Sequence, residues 1–301
     1  MVEEQKKWED MDLSASTLRG VYAYGFDTPS PIQSKAILPM LSKKDVIAQA
    51  QSGTGKTGCF TIGALELVDL SKHETQIIIL SPTRELATQT HAVITALSKF
   101  SKVKTTLVIG GTSSHECQTS LELRPHIIVG CPGRVYDMLR RRAIKPNTLK
   151  TIILDEADEM LSSGFKDQVY DVFQHLSEKI QVCLFSATLP PEVLALADNF
   201  MRNPINVLVQ KSMLTLEGIK QYKVKVRSDN DKYECIKDIF EVISIAQAII
   251  YCNSIRRAND LYEAMRTDAF AVTLLHSDMS KEDRELNYNH FRSGKYRVLV
   301  S

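Results

Sequence analysis

The chain of 301 residues is short of several features, and each shortage excludes a class of protein. It has no C-x-x-C pair. Its six cysteines, at 59, 117, 131, 183, 235 and 252, lie mostly inside apolar runs, which argues against a disulfide framework or a zinc site and for reduced thiols in an intracellular protein. It has almost no net charge: 37 Lys and Arg balance 36 Asp and Glu to a formal +1, so any nucleic-acid contact must come from local groups and not from a global field. No apolar run approaches the ~18 residues of a membrane span, and the N-terminus, Met-Val-Glu-Glu-Gln-Lys-Lys, has no signal-peptide core. A soluble protein with no membrane partner is expected. What remains, 44% hydrophobic and 24% charged residues, is ordinary globular material with length for two domains.

Residues 46–57 carry the densest chemical signal, Val-Ile-Ala-Gln-Ala-Gln-Ser-Gly-Thr-Gly-Lys-Thr. A short apolar run enters a loop formed by Ala50, Gln51, Ser52, Gly53, Thr54 and Gly55, and Lys56 and Thr57 then open a helical pattern. This is the composition of a phosphate cradle. Glycines let backbone N–H groups close on phosphate oxygens, the helix N-terminus adds positive field, Lys56 reaches the terminal phosphates and the Thr57 hydroxyl suits Mg²⁺. Ala50 departs from the general G-x-x-x-x-G-K-T pattern, which begins with glycine.

Upstream, residues 8–24 place Leu13, Leu18, Val21 and Tyr22 at helical intervals, and Pro31 sits in the first turn of a helix running toward Leu41. Gln33 offers an amide that donates and accepts at once, as the N6/N7 edge of adenine requires, and Phe26 offers a stacking face. Downstream, apolar runs at 77–80, 106–109, 126–130, 151–154, 182–185 and 205–209 lack polar alternation and are separated by helical patterns. That is an α/β fold with a parallel sheet buried on both faces, whose ligands bind at the carboxyl ends of strands.

Four of those ends look chemical. In Ser81-Pro82-Thr83-Arg84, Ser81 is expected to cap a helix with Pro82 in its first turn, and Leu86, Thr90, Val93, Ile94 and Leu97 form its inner face. Gly110-Gly111-Thr112 and Cys131-Pro132-Gly133-Arg134 offer free N–H groups and an arginine to a polynucleotide backbone. The run ending Leu154-Asp155-Glu156-Ala157-Asp158 delivers two carboxylates. Asp155 would complete a Mg²⁺ site and Glu156 would orient and deprotonate an attacking water.

Together with Ser186-Ala187-Thr188, these segments resemble, in order and over essentially the whole chain, the DEAD-box RNA helicase family. Connecting phrases such as Leu216-Glu217-Gly218-Ile219-Lys220-Gln221-Tyr222 and Phe291-Arg292-Ser293-Gly294 resemble its translation-initiation branch, with nuclear paralogues an open alternative. The resemblance implies two tandem RecA-like lobes of the P-loop NTPase fold with ATP and Mg²⁺ as cofactors. Phe26 and Gln33 would recognise adenine, Ala50 to Thr57 the phosphates, and Thr57 and Asp155 the metal, while Ser186 and Thr188 would link nucleotide state to RNA through the acidic motif. Arg84, Gly111, Gly133 and Arg134 would hold the RNA backbone, as would Asn253, Asp278 and Arg284 in the second lobe, although Lys281 replaces the family's usual glutamine. Cys131 stands where threonine is usual and Trp8 where phenylalanine is usual.

The expected division is lobe 1 over residues 1–210, a linker over 211–218 and a partial lobe 2 over 219–301. In lobe 2, strands at 219–226, 248–252, 270–276 and 296–301 alternate with helices at 231–244, 254–266 and 280–292, the last opened by a Ser280/Asp283 capping box and ended at Gly294. The run Arg140-Arg141-Arg142 reads as a solvated helix end more than an RNA patch. The resemblance places the arginine finger beyond Ser301, so a fragment with little RNA-stimulated turnover is expected; such an arginine contributes roughly 10³ to 10⁵ in rate. The function expected is ATP-dependent RNA binding and local unwinding by a monomer in cytoplasmic translation initiation, with a translation-factor scaffold as partner. The alternative is an ATP-gated RNA clamp in nuclear RNA processing; a P-loop transporter or DNA motor is disfavoured by Gln33 together with residues 155–158.

Overall fold

The computed structural model describes residues 7–111, 113–162, 164–208 and 220–301. The chain divides into two compact units, Met1–Ile219 and Lys220–Ser301. The expected linker at 211–218 lies outside the described residues, as does Thr112.

The first unit is built on seven parallel strands: β1 (Val46–Gln49), β2 (Ile77–Leu80), β3 (Thr105–Val108), β4 (Ile127–Gly130), β5 (Thr151–Asp155), β6 (Gln181–Ser186) and β7 (Ile205–Leu208). Their spatial order is β3-β4-β2-β5-β6-β1-β7. Among the described residues, nine helices join them: α1 (Ala15–Tyr24), α2 (Pro31–Leu41), α3 (Lys56–Leu67), α4 (Arg84–Leu97), α5 (Ser114–Glu122), α6 (Pro132–Arg140), α7 (Ala157–Ser162), α8 (Lys166–Gln174) and α9 (Pro191–Phe200). Because strand side chains alternate faces, Ile77 and Ile79 enter one core layer with Phe60, Phe185 and Ile37, while Ile78 and Leu80 enter the other with Val135, Met138 and Val172. Two apolar layers sandwich the sheet, which is why its strands read as unbroken apolar runs.

Three expectations are corrected here. The helical spacing over residues 8–24 is interrupted: a 3₁₀ turn at Trp8–Met11 ends with Asp12 at φ 50°, and α1 starts afresh with Ser14 accepting from the Thr17 N–H. Helix α4 is capped by Thr83, not Ser81. Ser81 still pairs with the sheet, its N–H donating to the Gly130 carbonyl at 2.9 Å, and it is the Thr83 hydroxyl that accepts from the Leu86 N–H at 3.2 Å where the helix begins. Finally, residues 220–226 form no strand, although Tyr222, Val224 and Val226 alternate with basic residues as a strand would.

The second unit consists of α10 (Asp229–Val242), β8 (Ala248–Ile250), α11 (Ile255–Thr267), β9 (Val272–Leu274), α12 (Lys281–Arg292) and β10 (Val298–Val300), with the parallel order β8-β10-β9. Ala258, Met265, Val272, Leu274, Val298 and Val300 form its core. Ser280 caps α12 by accepting from the Asp283 N–H at 3.0 Å, and its hydroxyl donates to the Asp283 carboxylate at 2.8 Å. All six cysteines are free thiols. Among the described residues, no helix is long and apolar enough to cross a membrane.

Candidate functional site at the carboxyl edge of the sheet

The strand order sorts the candidate residues into two groups. Strands β5, β6 and β1 are neighbours, and past their carboxyl ends lie Asp155 and Glu156, Ser186 and Thr188, and the loop from Ala50 to Thr57. Strands β3, β4 and β2 are also neighbours, and past their ends lie Gly111, Gly133 and Arg134, and Arg84. The residues expected to meet nucleotide therefore lie past one half of the sheet edge, and those expected to meet an RNA backbone lie past the other half.

In the nucleotide half, Gly53 and Gly55 hold φ of 81° and 98°, the left-handed region glycine adopts without penalty, and Gly55 directly precedes α3. Ala50 is fully packed in the core and its N–H donates to the Ser186 carbonyl at 3.1 Å, tying the loop to β6. Lys56 is buried, and its ammonium lies 2.9 Å from the Glu156 carboxylate, which also accepts from the Ser52 hydroxyl at 3.3 Å. The lysine expected to meet phosphate and the carboxylate expected to meet water therefore hold each other. Glu156 sits at φ 49°, a strained position for a residue with a side chain.

Asp155 ends β5 at 4% exposure. Burial, then repulsion from Glu156, push its carboxyl up to about 7, with Lys56 acting in the opposite direction. The Thr57 hydroxyl makes no hydrogen bond among the described residues. A buried carboxylate that is costly to charge and a hydroxyl without a hydrogen bond are both hard-oxygen groups of the kind that suit Mg²⁺. Among the described residues, no cluster of three or more His, Cys, Asp or Glu side chains could hold a metal.

A stability prediction follows from the raised carboxyl. The native state holds the Asp155 proton to higher pH than the unfolded chain does, so its contribution to stability falls as pH rises from about 4 to 7, by an amount on the order of a few kcal/mol. Asp155→Asn is therefore expected to raise the melting temperature of the nucleotide-free protein at pH 8 by about 3–8 °C, with the gain shrinking toward pH 5. Thermal melts of both proteins across that range check it.

Asp158, absent from the sequence-derived site, is the hub of the acidic motif. Its carboxylate accepts from both the N–H (3.0 Å) and the hydroxyl (2.6 Å) of Thr188, and its own N–H donates to the Ser186 hydroxyl at 3.2 Å. Burial alone would raise the Asp158 carboxyl, but the hydrogen bonds from Thr188 and Ser186 together bring it below the usual range. The contact expected between Ser186, Thr188 and the acidic motif is thus present, and it is made by Asp158.

At the far side of the loop, Gln33 accepts from the Ser30 N–H at 2.7 Å and donates to the Gly55 carbonyl at 3.2 Å, which leaves one N–H and one lone pair of its amide for a base. Phe26 is braced by Trp8, whose ring stacks at 6.4 Å and whose indole N–H donates to the Phe26 carbonyl at 3.0 Å. Both side chains converge on Gly58: a Cβ there would come within 2.7 Å of Gln33 Nε2 and 2.9 Å of Phe26 Cε2. Gly58 was missed in the sequence, although a glycine inside the first turn of a helix was the available signal.

In the other half, Arg84 is exposed and its guanidinium lies against Gly110, where a Cβ would approach Nη2 to 3.1 Å. Arg134 donates to the Cys117 sulfur at 3.3 Å. Gly133 is overhung by Gln168, whose Oε1 would meet a Cβ at 2.7 Å. Cys131 precedes α6 without a side-chain cap, and burial raises its thiol to about 11, against the influence of Arg84. In the second unit, Asn253 and Asp278 are exposed in the loops that follow β8 and β9, and Arg284 is exposed in the first turn of α12.

The family model described as DEAD/DEAH box helicase matches residues 30–196, and the one described as helicase conserved C-terminal domain matches residues 231–301. Eukaryotic initiation factor 4A of Drosophila melanogaster is 49% identical over 294 residues, covering 98% of this chain and 73% of that protein. The ATP-dependent RNA helicase eIF4A of Saccharomyces cerevisiae (strain YJM789) is 48% identical over 295 residues, covering 98% of this chain and 74% of that protein. Among solved structures, S. cerevisiae Dbp5 bound to RNA and ADP BeF3 aligns with a TM-score of 0.88 at 32% identity, covering 98% of this chain and 75% of that one.

Proposed function

The chain belongs to the DEAD/DEAH box helicase family, and from that membership we propose how its own residues carry out ATP-dependent binding and local unwinding of RNA. The observation that carries the reading is the Lys56–Glu156 ion pair at 2.9 Å beside the buried Asp155, on the same sheet edge as Arg84 and Arg134. When nucleotide enters, its terminal phosphates take Lys56 away from Glu156. The freed carboxylate then accepts a proton from water as the water oxygen attacks the γ-phosphorus and the bond to the ADP oxygen breaks. Gln33 and Phe26 hold adenine, and the N–H groups from Gly53 to Thr57 hold phosphate oxygens. Thr57 and Asp155 would hold Mg²⁺, which supplies charge neutralisation at the phosphates. A carboxylate freed only by nucleotide limits idle chemistry.

Asp158 joins the strand end that holds Asp155 and Glu156 to the Ser186–Thr188 segment, so a shift of that strand end reaches β6 through hydrogen bonds of 2.6 to 3.2 Å. That supports Ser186 and Thr188 as the link between nucleotide and RNA. Arg84, Gly111, Gly133 and Arg134, with Asn253, Asp278 and Arg284 of the second unit, bind sugar and phosphate without reading bases. Residues 1–210 and 219–301 act as the two RecA-like lobes joined by 211–218. The similarity to initiation factor 4A supports a cytoplasmic role in translation initiation with a scaffold protein as partner.

The backbone-binding half has a specific test. Arg84→Ala and Arg134→Ala are each expected to weaken binding of single-stranded RNA of any sequence by about the same factor and to reduce the salt slope of log K by roughly one, with nucleotide affinity unchanged. A change in sequence preference, or no change in the salt slope, would remove these residues from the backbone site.

A further inference from the structure

The amino edge of the seven-stranded sheet, opposite the candidate site, carries a recess of about 670 Å³ formed by the chain entering β2, β4 and β5 and leaving α5 and α6. Its floor is rigid. The Thr75 hydroxyl donates to the Pro125 carbonyl at 2.9 Å, and the Thr148 hydroxyl donates to the Thr75 carbonyl at 2.7 Å, so three strand entrances are tied together.

Four basic side chains line it, of which Arg141 is paired with Asp137 at 2.8 Å. Arg124, Arg142 and Lys145 form no ion pair among the described residues, and the acids on the same wall, Glu74 and Glu122, do not pair with them. Arg124 and Arg142 hold φ of 51° and 58°, the position after a helix where glycine or asparagine is favoured. The helix dipoles of α5 and α6 favour basic residues at those ends. They do not account for the convergence of both arginines with Lys145 on one recess.

From this geometry we infer that the recess is a docking site for an acidic segment of a partner protein, one that presents carboxylates to Arg124, Arg142 and Lys145 and a donor to Glu74 or Glu122. Two features favour a peptide over RNA. No Phe, Tyr or Trp lines the recess, and the imidazole of His73 there already packs against His126 at 6.4 Å, which leaves bases little stacking surface. The two glutamates repel a continuous polyanion but suit a segment of mixed polarity. A recess of this size takes a few side chains, not a tracking strand. The basic run at residues 140–142 is an exposed helix end, as its sequence suggests, and it places Arg142 at this recess.

The test is fluorescence anisotropy with a short labelled peptide alternating Glu and Ser, its Gln-for-Glu counterpart, and a labelled oligouridine RNA. The chain is expected to bind the Glu peptide and not the Gln peptide. Arg124→Glu/Arg142→Glu is expected to weaken Glu-peptide binding by about tenfold or more while RNA affinity stays within about twofold. Arg124→Gly/Arg142→Gly removes the charges at positions where glycine is preferred, so it keeps the fold and decides the matter if the glutamate variant melts early. Three results would each overturn the inference: equal binding of both peptides, Glu-peptide affinity unchanged in a folded variant, or RNA affinity falling in parallel.

Discussion

Glu156→Gln is expected to lower ATP turnover by about 10²- to 10⁴-fold while nucleotide affinity stays equal or tightens. The two halves of this result come from different parts of the geometry. Turnover falls because an amide cannot take the proton of the attacking water. Affinity does not fall because the Glu156 carboxylate occupies the Lys56 ammonium at 2.9 Å, so nucleotide must displace it. Removing the charge frees Lys56. It also removes a repulsion that makes Asp155 costly to ionise, which favours Mg²⁺. Steady-state ATPase assays and titration with a fluorescent nucleotide read the two quantities separately. A variant that loses both together would make Glu156 a structural residue.

Lys56→Ala is expected to weaken ATP binding by about 10²- to 10³-fold, the loss of a charge-assisted contact to phosphate in a buried setting. The effect should be graded by phosphate count, large for ATP, smaller for ADP and near nothing for AMP, because Lys56 serves the terminal phosphates and Gln33 and Phe26 serve the base. The variant also leaves Glu156 without its cation and removes the influence that lowers the Asp155 carboxyl. Calorimetric titration with the three nucleotides checks this, and a uniform loss across them would point to a collapsed loop.

The first unit's strands were legible because both faces of a parallel sheet are buried, so β2 reads as Ile-Ile-Ile-Leu with no polar alternation to confuse it. The phosphate loop was legible because glycine spacing before a helix is a local signal. Contacts between distant segments were not. The Lys56–Glu156 pair joins residues 100 positions apart, and the separation of the edge into two halves depends on a strand order that sequence order does not contain. The start of α4 was misjudged for a related reason: Ser81 and Thr83 are equally good caps locally, and how far the chain stays paired with the sheet, through the Ser81 N–H to Gly130, is set by a neighbouring strand distant in sequence. Residues 220–226 have the alternation of a strand, but periodicity expresses a propensity, and a strand also needs a partner. Asp158 was read as part of a motif and not as a site residue, since its role lies in accepting from Thr188 and donating its N–H to Ser186, contacts between segments distant in sequence.

The central claim is that one sheet edge holds ATP over β5, β6 and β1 and an RNA backbone over β3, β4 and β2. Affinity for a single-stranded RNA and for DNA of the same sequence should be measured with a non-hydrolysable ATP analogue present, at one salt concentration, in the wild type and in Arg84→Ala/Arg134→Ala. The prediction is tighter binding of RNA than of DNA, and loss of RNA affinity in the double variant with binding of the ATP analogue intact. Equal affinity for RNA and DNA, or RNA affinity that survives in the double variant, would contradict it.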